Sequence, residues 1–336
     1  MRITPCVKSI LHRLVAAPAC LAIAVFVALA LAPQTGIAAD GDGAWPTRPI
    51  TMVIPFTPGA ITDTLGRRIA NHLSGALGAN VIVENKPGAG ANLGAGFVAN
   101  AKPDGYTLLF STFGNLIIEA ASSGQFNLQP VAMIGPMTVV LLVRPDLPFQ
   151  TLDAFVDYAR ANPKKISLAS IGVGSSYHLM IEQMNALGGL DMVHIPYRGG
   201  APAMADFLGG RVDGMLATWS FARPYVNDNR ARLIAVTNAQ PSSELPGVPT
   251  VNEKAIPGAR LTDGLAIFGP RGLPAPVVTR INEAVRALLE QPDAQAWLKK
   301  EGVTPAPMSA DAFAAMLKTE TAPLHDLIVR NNIALK

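Results

Sequence analysis

From about residue 45 onward the chain alternates between short β-branched runs and segments of helical period, and it does so in two series. The first series opens with ITMVIPF (50–56). A helix follows from Thr62, with Leu65, Ile69, Leu73 and Leu77 each four apart and a stop at Gly78. NVIVEN (80–85), a short helix over 92–100 and YTLLFST (106–112) complete it. The second series has a helix at Leu152–Ala161, a strand at Ile166–Ser170, and a helix at Ser176–Leu187 with Met180, Met184 and Leu187 on one face. MVHIPY (192–197), a helix at Pro202–Leu208 and the strands 212–219 and 232–238 follow. Strand and helix periods in alternation require sheets with helices laid on their faces, an α/β architecture. The extended stretches 130–145, broken at Pro136, and 261–270 separate the two series, and the tail is helical over 275–290, 293–300 and 309–331. The division expected is two lobes crossed twice by the chain: residues 45–143 with 264–336 as lobe I, and 144–263 as lobe II.

Ahead of this region, Arg2, Lys8 and Arg13 precede an apolar run over 19–32, and the small residues Ala38-Ala39 follow it. That is the pattern of a cleaved secretory leader over 1–39. Pro18 interrupts the run, which argues against a membrane anchor. Both cysteines, Cys6 and Cys20, lie in the leader, so the exported chain would hold itself by its core, without thiol, disulfide or Cys metal site. Three of the 27 basic residues and none of the 24 acidic ones are there, leaving 24 against 24. A balanced chain offers no bulk basic charge for nucleic acid.

Three segments run from strand through a glycine-containing turn into a helix: IPFTPGAITD, LASIGVGSSYHLM and VHIPYRGGAPAM. Helix N-termini present unpaired N–H groups and partial positive charge, and glycine lets a ligand approach the backbone. Three such turns at one cleft would hold a carboxylate or phosphate. Each alone also reads as ordinary capping, with Ser175 and Ser176 as caps and Asp63 as a first-turn acid. Trp219 and Phe113, each after a strand end, read either as packing or as stacking residues. NKPGAGANLGAG (85–96) spaces Gly88, Gly90 and Gly94 too widely for a dinucleotide fingerprint. Gly174-Ser175-Ser176-Tyr177 is not the hydrolase elbow, and His178 is too near in sequence to serve as base for those serines. His72, His194 and His325 lack metal spacing. The residues point to a binder with no catalytic centre, metal or cofactor.

The stretches WPTRPITMVIPFTPG, VIVENKPGAGANLGA, KPDGYTLLFST, GSSYHL, VHIPYRGGAPAMADFLGGRVD, LIAVTN and LPGVPTVNE, in that order over about 45–330, resemble the periplasmic solute-binding proteins of tripartite tricarboxylate transporters, the Bug family. The resemblance implies a two-lobed Venus-flytrap fold of the type II periplasmic class, usually monomeric. It implies capture of a small organic carboxylate or dicarboxylate for membrane permease subunits of such a transporter; presentation to a membrane sensor kinase is the alternative partner. It assigns the ligand turn to Phe56, Pro58, Gly59, Ala60 and Asp63. Ser111, Thr112, Gly174, Ser175, Ser176, His178, Tyr197, Arg198 and Gly199 line the rest of the cleft. The chain departs from the family at Ala60 and Ile61, where bare backbone is usual, and at Ala217-Thr218-Trp219, where Asp or Asn often stands. Thr218 and Trp219 are then expected to line the pocket, and the ligand to lack an amino group.

Overall fold

The computed structural model describes residues 45–59, 61–123, 127–242, 244–330 and 333. The leader, with Cys6 and Cys20, and Ala60 lie outside them. Strands β1 (Ile50–Ile54), β2 (Val81–Asn85), β3 (Thr107–Thr112) and β4 (Leu128–Pro136) belong to one sheet. Strands β5 (Val139–Val143), β6 (Ser167–Ser170), β7 (Val193–Pro196), β8 (Gly214–Thr218) and β9 (Arg232–Val236) form a second. Strand β10 (Gly264–Pro270) returns to the first, giving the orders β2-β1-β3-β10-β4 and β7-β6-β8-β5-β9. In each sheet three neighbouring strands are parallel, and the crossover strand, β10 or β5, runs antiparallel to those beside it.

Helix α1 (Ile61–Leu77) buries its four-residue ladder, Leu65, Ile69, Leu73 and Leu77, and ends before Gly78, whose φ of 73° suits a C-terminal stop. Gly66 brings α1 close to the sheet: a Cβ there would sit 2.5 Å from Ile54 Cδ1. Helices α2 (Asn92–Ala99) and α3 (Phe113–Ser123) follow β2 and β3. In the second unit of alternation come α4 (Leu152–Ala161), α5 (Ser176–Gly188), α6 (Gly200–Leu208), α7 (Trp219–Asn227) and α8 (Val251–Lys254). Helices α9 (Ala275–Leu289), α10 (Pro292–Lys300) and α11 (Ala310–Arg330) end the described chain, and α9 and α11 pack on β4 of the first sheet.

Period-two alternation in β5 covers both faces of the second sheet. Val139, Leu141 and Val143 face a core with Phe155, Tyr177 and Met180, while Val140 and Leu142 face Met204, Phe207 and Ala222. In the first sheet Phe313 of α11 packs edge-on to Phe113 at 6.0 Å and against Phe268 at 5.6 Å. Such aromatic pairs add about 1 kcal/mol each beyond the area they bury.

Two results differ from the sequence reading. The stretch 130–145 is two strands in different sheets. β4 ends at Pro136, which has no N–H to continue the ladder, and β5 pairs with β8 and β9, so the chain changes sheet at 136–139 rather than after 143. Helices α3 and α7 start directly at strand ends, after Thr112 and Thr218. No turn residue announces them, and the sequence reading assigned no helix to either. The two crossovers are zipped together: Met137 N donates to Asp263 O (3.0 Å), Leu261 N to Thr237 O (2.8 Å) and Asn238 Nδ2 to Met137 O (3.0 Å).

Glycine at the crossover edge is obligatory. A Cβ at Gly264 would clash with the carbonyl oxygen of Gly135 on the paired strand and lie 2.6 Å from Phe113 Cε1. Gly264→Ala is expected to destabilise by about 3 kcal/mol or more. Gly75→Ala, inside α1 with open space at its Cβ, is expected to stabilise by about 0.5–1 kcal/mol. Urea unfolding midpoints check both.

Candidate functional site

The first turn leaves β1 at Ile54 and enters α1 at Ile61. Phe56 is half-buried, Pro58 and Gly59 are exposed, and Gly59 has φ 82°. Asp63, buried on the first turn of α1, organises this loop. Its Oδ2 accepts from Gly59 N (3.0 Å) and Arg67 Nε (3.1 Å), and its Oδ1 from Asn85 Nδ2 (2.9 Å). Asn85 Nδ2 also donates to Phe56 O (3.0 Å). Burial alone would push the Asp63 carboxyl up, but Arg67, Gly59 and Asn85 together outweigh it and hold it below the usual carboxylate range. Asp63 is therefore a brace for the turn, and the Gly59 amide is already engaged.

Ser111 and Thr112 end β3, both buried. Thr112 Oγ1 has no hydrogen-bond partner among the described residues, though the residue is only 7% exposed. A buried hydroxyl without a partner is rare and marks a place for water or ligand.

The turn between β6 and α5 contains Gly172 (φ 133°), exposed Val173 and Gly174 (φ 76°). Ser175 caps α5: its Oγ accepts from His178 N (3.2 Å) and donates to Gly172 O (2.6 Å). Ser176 donates from Oγ to Asp263 Oδ2 (3.0 Å) and from N to Asn115 Oδ1 (2.8 Å). His178 turns its ring back under the turn, where Nδ1 accepts from Gly174 N (3.2 Å). These three side chains hold the turn together.

Tyr197 and Arg198 follow β7. The Tyr197 hydroxyl donates to Asp206 Oδ2 (2.9 Å), and burial with that carboxylate raises its pKa. Arg198 is exposed with no ion pair among the described residues, and Gly199 (φ 127°) begins α6 without a side-chain cap. The glycine-rich stretch 88–91 supplies close backbone contact instead of a dinucleotide site. A Cβ on Gly90 would lie 3.2 Å from Val173 O, and Asn115 Nδ2 donates to Gly90 O (2.9 Å). A Cβ on Gly172 would lie 3.4 Å from Tyr197 O. Gly90, the 172–175 turn and Tyr197 thus meet. Thr218 ends β8, and Trp219 N donates to Thr138 O (2.8 Å). Trp219 lines a groove of about 550 Å³ with Ser220, Arg223, Glu244, Lys299 and Lys300.

Two residues at the centre were not singled out by the sequence. Asn115 links α3 to both Gly90 and Ser176. Asp263, fully buried, accepts from Gly114 N (2.9 Å) and Gly264 N (2.8 Å) on Oδ1 and from Ser176 on Oδ2. Burial raises its pKa to about 6 against these bonds. The one signal in the sequence was an acid placed directly before the apolar strand at 264.

Two α/β sheets joined by paired crossovers, with strand-to-helix turns meeting between them, define a periplasmic-binding-protein fold. The chain belongs to the tripartite tricarboxylate transporter family of receptors, whose model matches residues 65–333. It is 34% identical to a UPF0065 protein encoded in the tcbD-tcbE intergenic region of a Pseudomonas species, over 90% of this chain and 92% of that one. Among solved structures it is similar to R. palustris Rpa4515 with adipate, at 30% identity and TM-score 0.76, covering 86% of this chain and 99% of that one. MatC from Rhodopseudomonas palustris with bound malate gives 29% identity and TM-score 0.76, covering 84% and 100%. This is a solute-binding family of transporters and not an enzyme family.

The raised Asp263 pKa has a direct consequence. A carboxyl that ionises near 3.8 unfolded and about 6 folded loses stability as pH rises between those values. Asparagine can keep all three bonds, with the Ser176 hydroxyl turning round to accept. Asp263→Asn is expected to gain on the wild type between pH 4 and 6, by on the order of 3 kcal/mol, and to run parallel above pH 6. Melting temperatures of the two proteins across pH measure this.

Proposed function

We propose that this protein is an exported receptor that captures a small organic carboxylate between its two sheets and hands it to a membrane permease of the tripartite tricarboxylate type. The leader pattern over 1–39 supports export to the periplasm, and among the described residues no helix is long and apolar enough to cross a membrane. The crossovers at 136–139 and 237–263 would act as the hinge, with the halves carrying the first and second sheets as lobes. Ligand capture would shift an open–closed balance, and the permease would read the closed form.

The observation that carries the carboxylate reading is the buried Thr112 hydroxyl at the end of β3, which has no partner among the described residues. Arg198 supports it as an exposed cation with no ion pair among the described residues, beside the uncapped start of α6. Both answer to a ligand bearing negative oxygens. The two buried acids nearest the turns support a ligand without an amino group. Asp63 is engaged by Gly59, Arg67 and Asn85, and Asp263 by Gly114, Gly264 and Ser176. Neither has an oxygen without a donor for an ammonium. Adipate and malate, the ligands in two similar structures, are of this amine-free kind.

The test is calorimetric titration with adipate, malate, benzoate, citrate, aspartate and glutamate. Adipate or another amine-free acid is expected to bind, and a ligand at about 100 times its Kd stabilises by about 2.7 kcal/mol, visible as a raised Tm. Arg198→Gln is expected to weaken dicarboxylates about tenfold, roughly 1.4 kcal/mol, and benzoate much less. Selective tight binding of aspartate or glutamate would overturn the amine-free reading. Silence across the panel would overturn carboxylate capture.

A further inference from the structure

Behind the 172–175 turn two imidazoles stack face to face. The rings of His178 on α5 and His194 on β7 have centroids 4.0 Å apart and planes 16° from parallel. Each holds one end of the turn. His178 Nδ1 accepts the Gly174 N–H (3.2 Å), and so carries no proton on that nitrogen. His194 Nε2 lies 2.6 Å from Ser170 Oγ, and that same oxygen accepts the Gly172 N–H (3.1 Å). The pair is thus linked to the turn at both of its glycines.

We infer that His178 and His194 are positioning residues that clamp the 172–175 turn in its ligand-ready shape while both rings are neutral, and that acid opens the clamp and releases the carboxylate. This rests on the capture reading above. A proton on His178 Nδ1 would set an N–H against the Gly174 N–H, replacing a bond with a repulsion. A second cation at 4.0 Å would be strongly opposed, so the rings titrate as a coupled pair. The acid that faces them among the described residues is Glu182, one turn along α5, with Oε1 3.7 Å from His178 Nε2. Asp263 is bonded to the neighbouring Ser176 and directed at Gly114 and Gly264. Burial depresses both imidazoles, His194 to about 4 with His178 adding to the effect, and pushes Glu182 up. The clamp is therefore closed at neutral pH and opens only in acid.

The decisive variants are His178→Asn, whose Oδ1 can take over the Gly174 N–H without titrating, and His178→Leu, which offers no acceptor. Two measurements are made on each and on the wild type. The first is NMR of the Gly172 and Gly174 amides and of the imidazole nitrogens of the ligand-free protein, from pH 7.5 to 4. The second is the adipate Kd over the same range. The Gly174 amide is expected to move with the His178 titration in the wild type and to stay fixed in His178→Asn. Relative to His178→Asn at the same pH, which cancels the titration of adipate itself, wild-type affinity is expected to fall about tenfold per pH unit below the midpoint. His178→Leu is expected to bind weakly at every pH. A Gly174 amide that ignores the His178 titration, or a His178 protonated on Nδ1 at pH 7, would overturn the clamp. Wild-type affinity that stays level with, or rises above, that of His178→Asn in acid would overturn acid release. Failure to bind adipate at any pH would overturn acid release of that acid, silence across the whole panel would count against carboxylate capture, and the amide titration would still decide the clamp.

Discussion

A carboxylate removed from water needs donors, and Asp263 finds three: two backbone amides on one oxygen and a serine hydroxyl on the other. Each donor belongs to a different part of the fold. Gly114 is in the first turn of α3, Ser176 starts α5, and Gly264 starts β10. One buried acid thus fixes where two helices begin and where the chain re-enters its first sheet. Asn115 repeats the linkage with an amide, joining Gly90 and Ser176. The turns around the candidate cleft are held in place by these groups.

The architecture was legible wherever hydrophobic period and turn chemistry agreed. The ladder Leu65, Ile69, Leu73 and Leu77 is one buried stripe, and the strands 50–54 and 81–85 sit where β-branched runs placed them. It was not legible where an element starts without punctuation. Phe113 and Trp219 begin helices on the residue after a strand ends, so neither glycine nor proline marks the change. The run 130–145 stayed apolar across a change of sheet, and composition cannot say which sheet a buried strand joins.

At the candidate site, residue type was more legible than direction. Asp63, Ser175, Ser176 and His178 all stand at the turns, as their positions in the sequence indicated, but their side chains bond backward into the protein. Spacing along a chain reports which residues share a turn and leaves open which way each one points. The partners that decide this are Asn85, Asn115, His194 and Asp263. They come from distant segments, and nothing local distinguishes them. Gly90 is the converse case. The spacing of its glycine-rich run ruled out a dinucleotide fingerprint but did not say what the glycine was for; its lack of a side chain admits the carbonyl of Val173.

The position of β10 sets an order on assembly. It lies between β3 and β4, and among the described residues β4 pairs with no other strand of its sheet. The second sheet, by contrast, is complete by Val236 and comes from one continuous stretch of chain. A chain emerging from its N-terminus can therefore finish the later half first, while β4 waits, unpaired and apolar, for residues 264–270 to arrive. The first half of this protein to be made is the last to be closed, and β4 is the segment most exposed to mispairing in the interval.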